Sequence, residues 1–342
     1  MFLNRILYSV LILVLLCSSS ISAQNSNSYK SENTMTKKLI QPPYLKAGDS
    51  VAIVAPSGIL LNRETEIRLA KDLLESWGLK VSIGKHIFKQ VNHFAGTDYE
   101  RSEDLQKALD NPNIKAIWSA RGGYGTVRIL DKLDYTKFIE YPKWLIGYSD
   151  ITSLHSQIHI LGIESIHGMM CTSLADKEED IKETISTFKK AIFGESLSYT
   201  IKGNKYNKIG EAKGQLIGGN LTLLQTMLGS ETAIDTTDKI VFIEEIGEYK
   251  YHIDRLLQSL KRAGYFDNCK AVIVGDMSKL RRNTTSWGKP IQQLILDVFE
   301  ECDFPVLFDF PAGHEKDNRA LIFGRTVDLK INSDESTVVF EE

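Results

Sequence analysis

The sequence of 342 residues has few cysteines and no excess of positive charge. Its four cysteines are widely separated, with neither a C-x-x-C pair nor the spacing of a metal-binding motif: Cys17, Cys171, Cys269 and Cys302. The pattern indicates that Cys171, Cys269 and Cys302 are buried, inert thiols rather than parts of a disulfide framework. Lys and Arg number 41 against 44 Asp and Glu, a net charge of −3. Nucleic-acid-binding proteins normally carry a basic excess, so nucleic acid is not expected as a partner.

Long hydrophobic runs are also scarce, apart from one near the N terminus. An apolar share of 42% with 25% charged residues excludes a disordered chain, a collagen-like repeat and a multi-span membrane protein. Residues 6–17 form an apolar run that follows Arg5 and precedes small polar residues ending at Ala23. This run is shorter than the roughly 20 residues of a bilayer-spanning helix. The pattern predicts a signal peptide over 1–23, cleaved after Ala23, and a periplasmic or secreted protein; an uncleaved anchor is the alternative.

The remaining chain divides into two predicted domains of the α/β class. Residues 24–45 are polar and contain Pro42-Pro43, which is typical of an N-terminal tether. Over residues 46–180, short β-branched runs alternate with helical patterns, which predicts a mostly parallel sheet with helices on both faces, an αβα domain. Residues 181–212 are rich in Lys and Glu and are expected to connect it to a second, smaller α+β domain over 213–342.

Strand-like and helix-like segments of both domains can be placed from the pattern. Strands are expected at 51–55, 80–83, 114–118, 144–146, 240–243, 271–274, 305–310, 320–323 and 336–340. Helices are expected at 63–77, 99–110, 151–161, 252–263 and 290–301, with a further one starting at Gly218-Gly219-Asn220.

Ser149 lies at a predicted strand-to-helix turn in Gly147-Tyr148-Ser149-Asp150. A nucleophile is well placed there, because N–H groups at a helix start stabilise developing negative charge. The turn is similar to the nucleophile elbow G-x-S-x-G, although Ile151 replaces the second glycine. Helix capping is the alternative interpretation, since serine at a helix start is common.

A glycine-rich loop, Ala120-Arg-Gly-Gly-Tyr-Gly125, ends the preceding strand at the same sheet edge as Ser149. Ligands of open α/β sheets bind outside the carboxyl ends of the strands. The N–H groups of Gly122 or Gly123 are therefore candidates for half of an oxyanion hole. A phosphate cradle or a plain tight turn remains open, but the loop matches neither G-x-G-x-x-G nor a P-loop.

Two acidic residues and one histidine in the second domain complete a candidate triad. Glu244 and Glu245 end an apolar strand, and His314 lies in the loop Phe310-Pro-Ala-Gly-His314. A strand-end carboxylate suits the orientation of an imidazole that acts as general base. The chain order Ser, Glu, His repeats that of known hydrolases. Taken singly, however, a glutamate at a strand end is usually solvated and a histidine on a loop usually has no special role.

The other histidines do not form a recognisable catalytic or metal-binding group. His155 and His159 are four apart on a predicted helix face, but no Glu stands between them as in H-E-x-x-H and no third ligand is evident. No metal site is therefore predicted. His167 follows a strand-like run and is a candidate for lining the pocket.

The motifs taken together resemble the LD-carboxypeptidases, a serine peptidase family that includes muramoyltetrapeptide carboxypeptidases and microcin C immunity peptidases. The resemblance runs from about Ile40 to the C terminus. It rests on VAPSG at 54–58, ARGGYG at 120–125, IGYSD at 146–150, GGNL at 218–221, FIEEIGE at 242–248 and FPAGH at 310–314.

The resemblance implies a role for each candidate residue. Ser149 would be the nucleophile, His314 the general base and Glu244 its orienting carboxylate. The backbone N–H groups of Asp150 and of Gly122 or Gly123 would form the oxyanion hole. A cation must hold the terminal carboxylate of the substrate, and Arg121 is the candidate, with bracing of the loop as its alternative.

The implied reaction is hydrolysis of the amide between an L-centre and a terminal D-alanine in murein tetrapeptides. It requires no metal or organic cofactor, and the family is usually dimeric. The predicted signal peptide moves the expected role from cytoplasmic recycling to the periplasm or cell wall. Two alternatives are a microcin-type peptidase acting on acyl-sulfamoyl adenylates and a periplasmic solute-binding protein.

Overall fold

The computed structural model describes residues 38–342. The predicted signal peptide, its cleavage site and residues 24–37 of the predicted tether lie outside the described residues. No helix within the described part of the chain is long and apolar enough to cross a membrane.

The end of the predicted tether is packed into the fold. The N–H of Ile40 donates to the carbonyl of Gly162 at 2.7 Å, and the ring of Tyr44 stacks on Trp144 with centroids 5.8 Å apart. Leu45 is buried. The prediction of a tether up to residue 45 is therefore wrong from Ile40 onward, because its apolar and aromatic residues find partners beside the first sheet.

Within residues 38–342, the strands and helices alternate as follows. The strands are β1 (Ser50–Val54), β2 (Lys80–Ile83), β3 (Ile114–Ser119), β4 (Trp144–Gly147), β5 (Ser165–His167), β6 (Ser198–Lys202), β7 (Gly210–Asn220), β8 (Lys239–Ile246), β9 (Ala271–Ser278), β10 (Val306–Leu307), β11 (Leu321–Phe323), β12 (Thr326–Ile331) and β13 (Glu335–Phe340). The α-helices are α1 (Glu64–Ser76), α2 (Asp98–Asp110), α3 (Thr136–Glu140), α4 (Thr152–Ile160), α5 (Lys182–Phe193), α6 (Leu221–Met227), α7 (Lys250–Arg262) and α8 (Ile291–Val298).

The first sheet has six strands in the order β11-β5-β4-β3-β1-β2. The pairs from β5 to β2 are parallel. Successive residues of β1 enter two different cores: Ile53 packs in the core that contains α1 and α5, and Val54 in the core that contains α2 and α4. Such two-sided burial is typical of a parallel sheet covered by helices on both faces. The predicted αβα architecture is confirmed.

The second sheet has seven strands in the order β10-β9-β8-β7-β12-β13-β6. β7 to β10 pair in parallel, and β12, β13 and β6 add an antiparallel extension. Helices α6, α7 and α8 cover one face, where Val241 and Ile243 are buried. Phe242 points to the other face, into the core shared with α1 and α5. This mixed sheet matches the predicted second, α+β part of the fold.

One short strand joins the sheet of the other half of the chain. β11, predicted as part of the second domain, pairs antiparallel with β5 at the edge of the first sheet, with Leu321 opposite His167. The buried guanidinium of Arg325 then forms an ion pair with Glu164 at 2.5 Å. Residues 321–323 therefore add a strand to the first sheet, because the edge of β5 is free to pair with them; the assignment of 320–323 to the second domain stays a prediction.

The predicted connection over 181–212 is itself largely structured. It contains α5, whose Phe188 is buried in the shared core, and β6, which forms the outer edge of the second sheet.

Candidate active site

Ser149 has a backbone conformation that is rare for a residue with a side chain. It is separated from the end of β4 by one residue, begins a single 3-10 turn (Ser149–Ile151) ahead of α4, and has φ of +64°. A non-glycine residue in the left-handed region is strained and persists only where its surroundings enforce it. A sharp strand-to-helix turn of this kind presents the serine hydroxyl at the sheet edge, as in a nucleophile elbow.

The end of β4 is held in place by His155 on α4. Its Nε2 lies 2.9 Å from the carbonyl oxygen of Gly147, and its Nδ1 lies 2.8 Å from Oγ of Ser165. Burial lowers the pKa of His155 to about 4, so this imidazole is neutral at physiological pH. Because both ring nitrogens are engaged, His155 fastens the strand that leads to Ser149 and does not pair with His159 as a ligand.

The side chain of Asp150 connects three segments of the site. Its Oδ2 accepts hydrogen bonds from Oγ of Ser57 at 2.6 Å and from the N–H of Thr126 at 2.8 Å. The VAPSG loop, the glycine-rich loop and the serine turn are thereby fixed to one buried carboxylate. The oxyanion role expected of Asp150 concerns its backbone N–H and stays a prediction.

The glycine-rich loop touches Ser149 directly. The carbonyl of Gly122 accepts a hydrogen bond from the N–H of Gly58 at 3.0 Å. A Cβ at Gly122 would lie 3.0 Å from Cβ and 3.2 Å from Oγ of Ser149. Only glycine allows this approach, so the loop is brought to the serine as expected. Participation of the N–H groups of Gly122 and Gly123 in an oxyanion hole stays a prediction.

His314 and Glu244 form a hydrogen-bonded pair. Nδ1 of His314 lies 2.6 Å from Oε2 of Glu244, whose side chain is fully buried, while the side chain of His314 is 12% exposed. Burial by itself lowers the pKa of His314, but the charge and hydrogen bond of Glu244 outweigh it and hold the pKa above its usual value. The pair has the geometry of a base and its orienting carboxylate.

Tyr148 links the serine turn to this pair. Its ring meets the His314 imidazole edge-on, with centroids 5.0 Å apart, so Ser149 directly follows a residue in contact with His314. Within the described chain, Oγ of Ser149 and Nε2 of His314 form no hydrogen bond. Catalytic hydrogen bonds are often long without substrate and tighten when it binds.

Glu245, the second acid of the predicted pair, has a different environment. Its Oε2 accepts hydrogen bonds from the N–H and the hydroxyl of Thr222 at 2.9 and 2.6 Å, and its Oε1 accepts one from the amide of Asn220 at 3.1 Å. Burial raises its pKa. Glu245 therefore anchors the start of α6, and Glu244 is the acid that reaches the imidazole.

Asp276 is a component of the site that the sequence analysis missed. Its N–H donates to the carbonyl of Ala312, and its Oδ2 accepts from the N–H of Glu315, both at 2.9 Å. The two bonds bracket His314 and hold its loop against β9. Burial raises the pKa of Asp276 to about 7, helped by the charges of Glu315 and Glu244. Its only signal in the sequence is an acidic residue near the end of a strand.

Two further predicted positions have clear surroundings. Arg121 donates to the carbonyl of Ile59 and forms no ion pair within the described residues. Its role in binding a substrate carboxylate stays a prediction. His167 is fully buried against Tyr148 and Phe242, so its expected place in the pocket lining is wrong. It supports the site from within the core.

Comparison with known proteins identifies the family. Residues 51–168 match the LD-carboxypeptidase N-terminal domain, and residues 213–329 match the LD-carboxypeptidase C-terminal domain. The chain belongs to the LD-carboxypeptidase family. The resemblance stated from the sequence motifs is thus confirmed, and Ser149 falls in the first matched domain while Glu244 and His314 fall in the second.

Relatives of this LD-carboxypeptidase cover most of its length. The "Probable murein peptide carboxypeptidase" of Bacillus subtilis is 32% identical over 88% of this chain and 94% of its own. The "Murein tetrapeptide carboxypeptidase" of Pseudomonas aeruginosa is 30% identical over 82% of this chain and 93% of its own. The crystal structure of muramoyltetrapeptide carboxypeptidase from Oxalobacter formigenes has a TM-score of 0.78 at 27% identity, covering 86% and 99% of the two chains. The protein is therefore a carboxypeptidase enzyme, not a solute-binding protein.

Proposed function

We propose that this enzyme is a serine-type LD-carboxypeptidase that removes the terminal D-alanine of murein tetrapeptides through an acyl-enzyme. The observation that carries the proposal is the left-handed Ser149, which follows Tyr148 in contact with His314, together with the 2.6 Å hydrogen bond between His314 and Glu244. A strained serine at a strand end and an oriented imidazole are the parts that covalent acyl transfer requires.

The proposed first step forms the acyl-enzyme. Nε2 of His314 takes the proton of the Ser149 hydroxyl as Oγ attacks the carbonyl of the scissile amide, and the C–N bond breaks. The imidazolium formed in this way returns the proton to the leaving nitrogen, so D-alanine departs with a neutral amino group. Glu244 keeps Nε2 directed at the serine and stabilises the positive charge that forms.

The second step releases the shortened peptide. His314 takes a proton from water, the resulting hydroxide attacks the ester carbonyl, and the Ser149 oxygen leaves and regains the proton. The oxyanion of both steps is assigned to the N–H groups of Asp150 and of Gly122 or Gly123. Donors fixed before the reaction are worth several kcal/mol in such sites.

Two observations support this class of substrate. The relatives named above are a murein peptide and a murein tetrapeptide carboxypeptidase. In this chain, Arg121 belongs to the glycine-rich loop that contacts Ser149, and its guanidinium lies beside Gly58 and Ile59 with no carboxylate partner within residues 38–342. We assign it to the terminal carboxylate of D-alanine.

The decisive experiment compares two stereoisomeric substrates. The purified protein lacking residues 1–23 is incubated with murein tetrapeptide and with its all-L analogue, and free alanine is measured by mass spectrometry. The proposal expects release from the tetrapeptide only, and none from the Ser149→Ala protein. Release from neither substrate, or equal release from both, would overturn it. Faster cleavage of an aminoacyl-sulfamoyl adenosine would instead support the microcin-type alternative.

The cellular location and the assembly state belong to the same proposal. We expect the signal peptide to be removed after Ala23, so N-terminal sequencing of protein from the periplasm or medium should begin at Gln24. We expect a homodimer, which light scattering would report as twice the chain mass. Intact Met1 in a membrane fraction, or a monomer mass, would contradict the respective expectation.

A further inference from the structure

A basic pocket lies on the second half of the molecule, outside the residues assigned so far. It has a volume of about 300 Å³ and lies between the start of α7 and the loop that follows β9. Its lining includes the cations Lys250, Arg281 and Arg282 and the indole of Trp287, and no acidic residue within the described chain lines it.

The two arginines of this pocket are available to a ligand. Neither Arg281 nor Arg282 forms an ion pair within residues 38–342, and both are exposed. The guanidinium of Arg281 lies 5.6 Å from the ring centroid of Tyr249, which fixes it without neutralising it. The side-chain oxygen of Asn283, which also lines the pocket, is buried without a hydrogen-bond partner. Unpaired guanidinium groups of this kind favour a carboxylate or phosphate, which they bind through two parallel hydrogen bonds.

Three hydrogen bonds place the pocket near the His314–Glu244 pair. The N–H of Gly247 donates to the carbonyl of Ser278, and the N–H of Arg281 donates to the carbonyl of Glu248, both at 2.9 Å. The hydroxyl of Ser278 donates to the carboxylate of Glu315, the residue after His314, at 2.7 Å. The pocket loop therefore starts beside the loop of the base.

The distance from Ser278 to Arg281 is comparable with the length of a short peptide. Arg281 is three residues beyond Ser278, so their Cα atoms are at most about 10 Å apart. An extended tetrapeptide spans up to roughly 14 Å. A peptide that runs from Ser149 past His314 toward Ser278 would direct the side chains of its acyl portion to Arg281 and Arg282.

We propose that this pocket binds a carboxylate of the substrate on the amino-terminal side of the scissile amide, and so selects acidic peptides. The inference rests on the proposed function and extends it. Arg121, on the first sheet, is assigned to the carboxylate of the leaving D-alanine, so the pocket on the second sheet serves the acyl portion. A carboxylate is favoured over phosphate because the proposed substrate is a peptide, whose side chains supply carboxylates.

The test uses two peptides that differ by one charge. Acetyl-Ala-Glu-Lys-D-Ala and acetyl-Ala-Gln-Lys-D-Ala are compared by kcat/KM. The wild-type enzyme should prefer the acidic peptide by about tenfold, mainly through KM, as expected for one charged hydrogen-bonded contact. The double variant R281Q/R282Q should reduce the acidic peptide to the level of the neutral one. Equal kcat/KM for both peptides with the wild-type enzyme would overturn the inference.

Matched variants separate this effect from general charge and from folding. Arg68 is exposed on α1, and R68Q makes the same charge change away from the pocket, so the tenfold preference should remain. R281K/R282K keeps the charge without the planar fork and should retain part of the preference. Loss of the preference in R68Q would show a diffuse charge effect and contradict the inference.

Direct binding distinguishes failure of this inference from failure of the proposed function. If neither peptide is hydrolysed, both are titrated into the Ser149→Ala protein by calorimetry. Tighter binding of the acidic peptide that R281Q/R282Q abolishes would support the pocket independently of catalysis. Equal binding of the two peptides, or arginine-dependent binding of inorganic phosphate alone, would contradict it.

Discussion

Nδ1 of His314 lies 2.6 Å from Oε2 of Glu244, across 70 residues of chain. Glu244 lies at the end of β8, and His314 lies on a loop that Asp276 fastens to β9. Two adjacent parallel strands of the second sheet thus hold the base and its acid, while the first sheet supplies Ser149. The protonation of His314 therefore depends on its burial and on Glu244, and this dependence can be measured.

Glu244→Gln should move the acidic limb of the pH–rate profile to lower pH. The base acts when neutral, so kcat/KM rises with pH through the pKa of His314. Burial lowers that pKa and the charge and hydrogen bond of Glu244 raise it to a greater extent, so removing the charge lowers it. The plateau rate should fall by about 10²–10⁴-fold. An unshifted inflection measured between pH 5 and 9 would contradict the assignment.

The same pair should stabilise the fold in a defined pH window. Because the pKa of His314 is raised in the folded state, its contribution is complete below the unfolded value of about 6.5 and is lost as pH rises through the folded value. The difference in free energy of unfolding between wild type and Glu244→Gln should therefore shrink at alkaline pH, as urea denaturation would show.

Ser149→Ala and Ser149→Gly should lose activity equally and differ in stability. Both lack the hydroxyl, so kcat should fall by at least about 10³-fold. Alanine retains the strain of φ +64°, whereas glycine adopts this region freely, so the glycine variant should be more stable by about 1 kcal/mol. Equal unfolding midpoints would show that the turn is not strained.

Gly122→Ala should impair catalysis without unfolding the protein. The added methyl group would lie 3.0 Å from Cβ of Ser149, so the serine or the loop must shift by a few tenths of an ångström. We expect a loss in kcat on the order of 10²-fold, since small displacements at reacting atoms are costly. Gly168→Ala is the control, because its methyl group would meet only ordinary contacts of 3.5 Å or more. Similar losses in both variants would argue against a specific role for the approach.

Asp276→Asn should stabilise the protein at pH 8 and leave its stability unchanged near pH 4. Burial, with the charges of Glu315 and Glu244, raises the pKa of Asp276 to about 7. The folded state therefore keeps a proton that the unfolded state loses near pH 4, and wild-type stability declines as pH rises toward 7. Asparagine carries no charge but still accepts from Glu315, so a gain on the order of 1–2 kcal/mol is expected after allowance for solvent screening. A gain of equal size at both pH values would contradict this origin.

The features that could be predicted from the sequence are those that depend on a local pattern of residues. The alternation of β-branched runs and helical segments was enough for the αβα part, because successive residues of strands such as β1 are buried on both faces. Ser149 and His314 were found because each stands at a strand end or a Pro/Gly loop. Glu244 and Glu245 could not be separated by position alone, since neighbours on a strand differ only in the face they present.

The features that escaped prediction depend on distant partners. β11 has three residues, and its place is set by an edge of β5 about 150 residues earlier in the chain. β6 lies in a polar stretch whose strand character comes from pairing with β13. Asp276 acquires its role only because the loop around His314 folds back onto β9. No window of sequence contains both partners of these contacts.

The pairing of β11 with β5 has a consequence for how the enzyme is made. β5 is synthesised, and on the export prediction translocated, well before residues 321–323 follow. Until then the first sheet has an open edge, the kind of surface on which newly made chains misassociate. A chain ending at residue 315 would contain Ser149, Glu244 and His314 and still lack the strand that closes the sheet of the serine. Residues 321–323, near the end of the chain, are thus the final strand of the sheet that is made first.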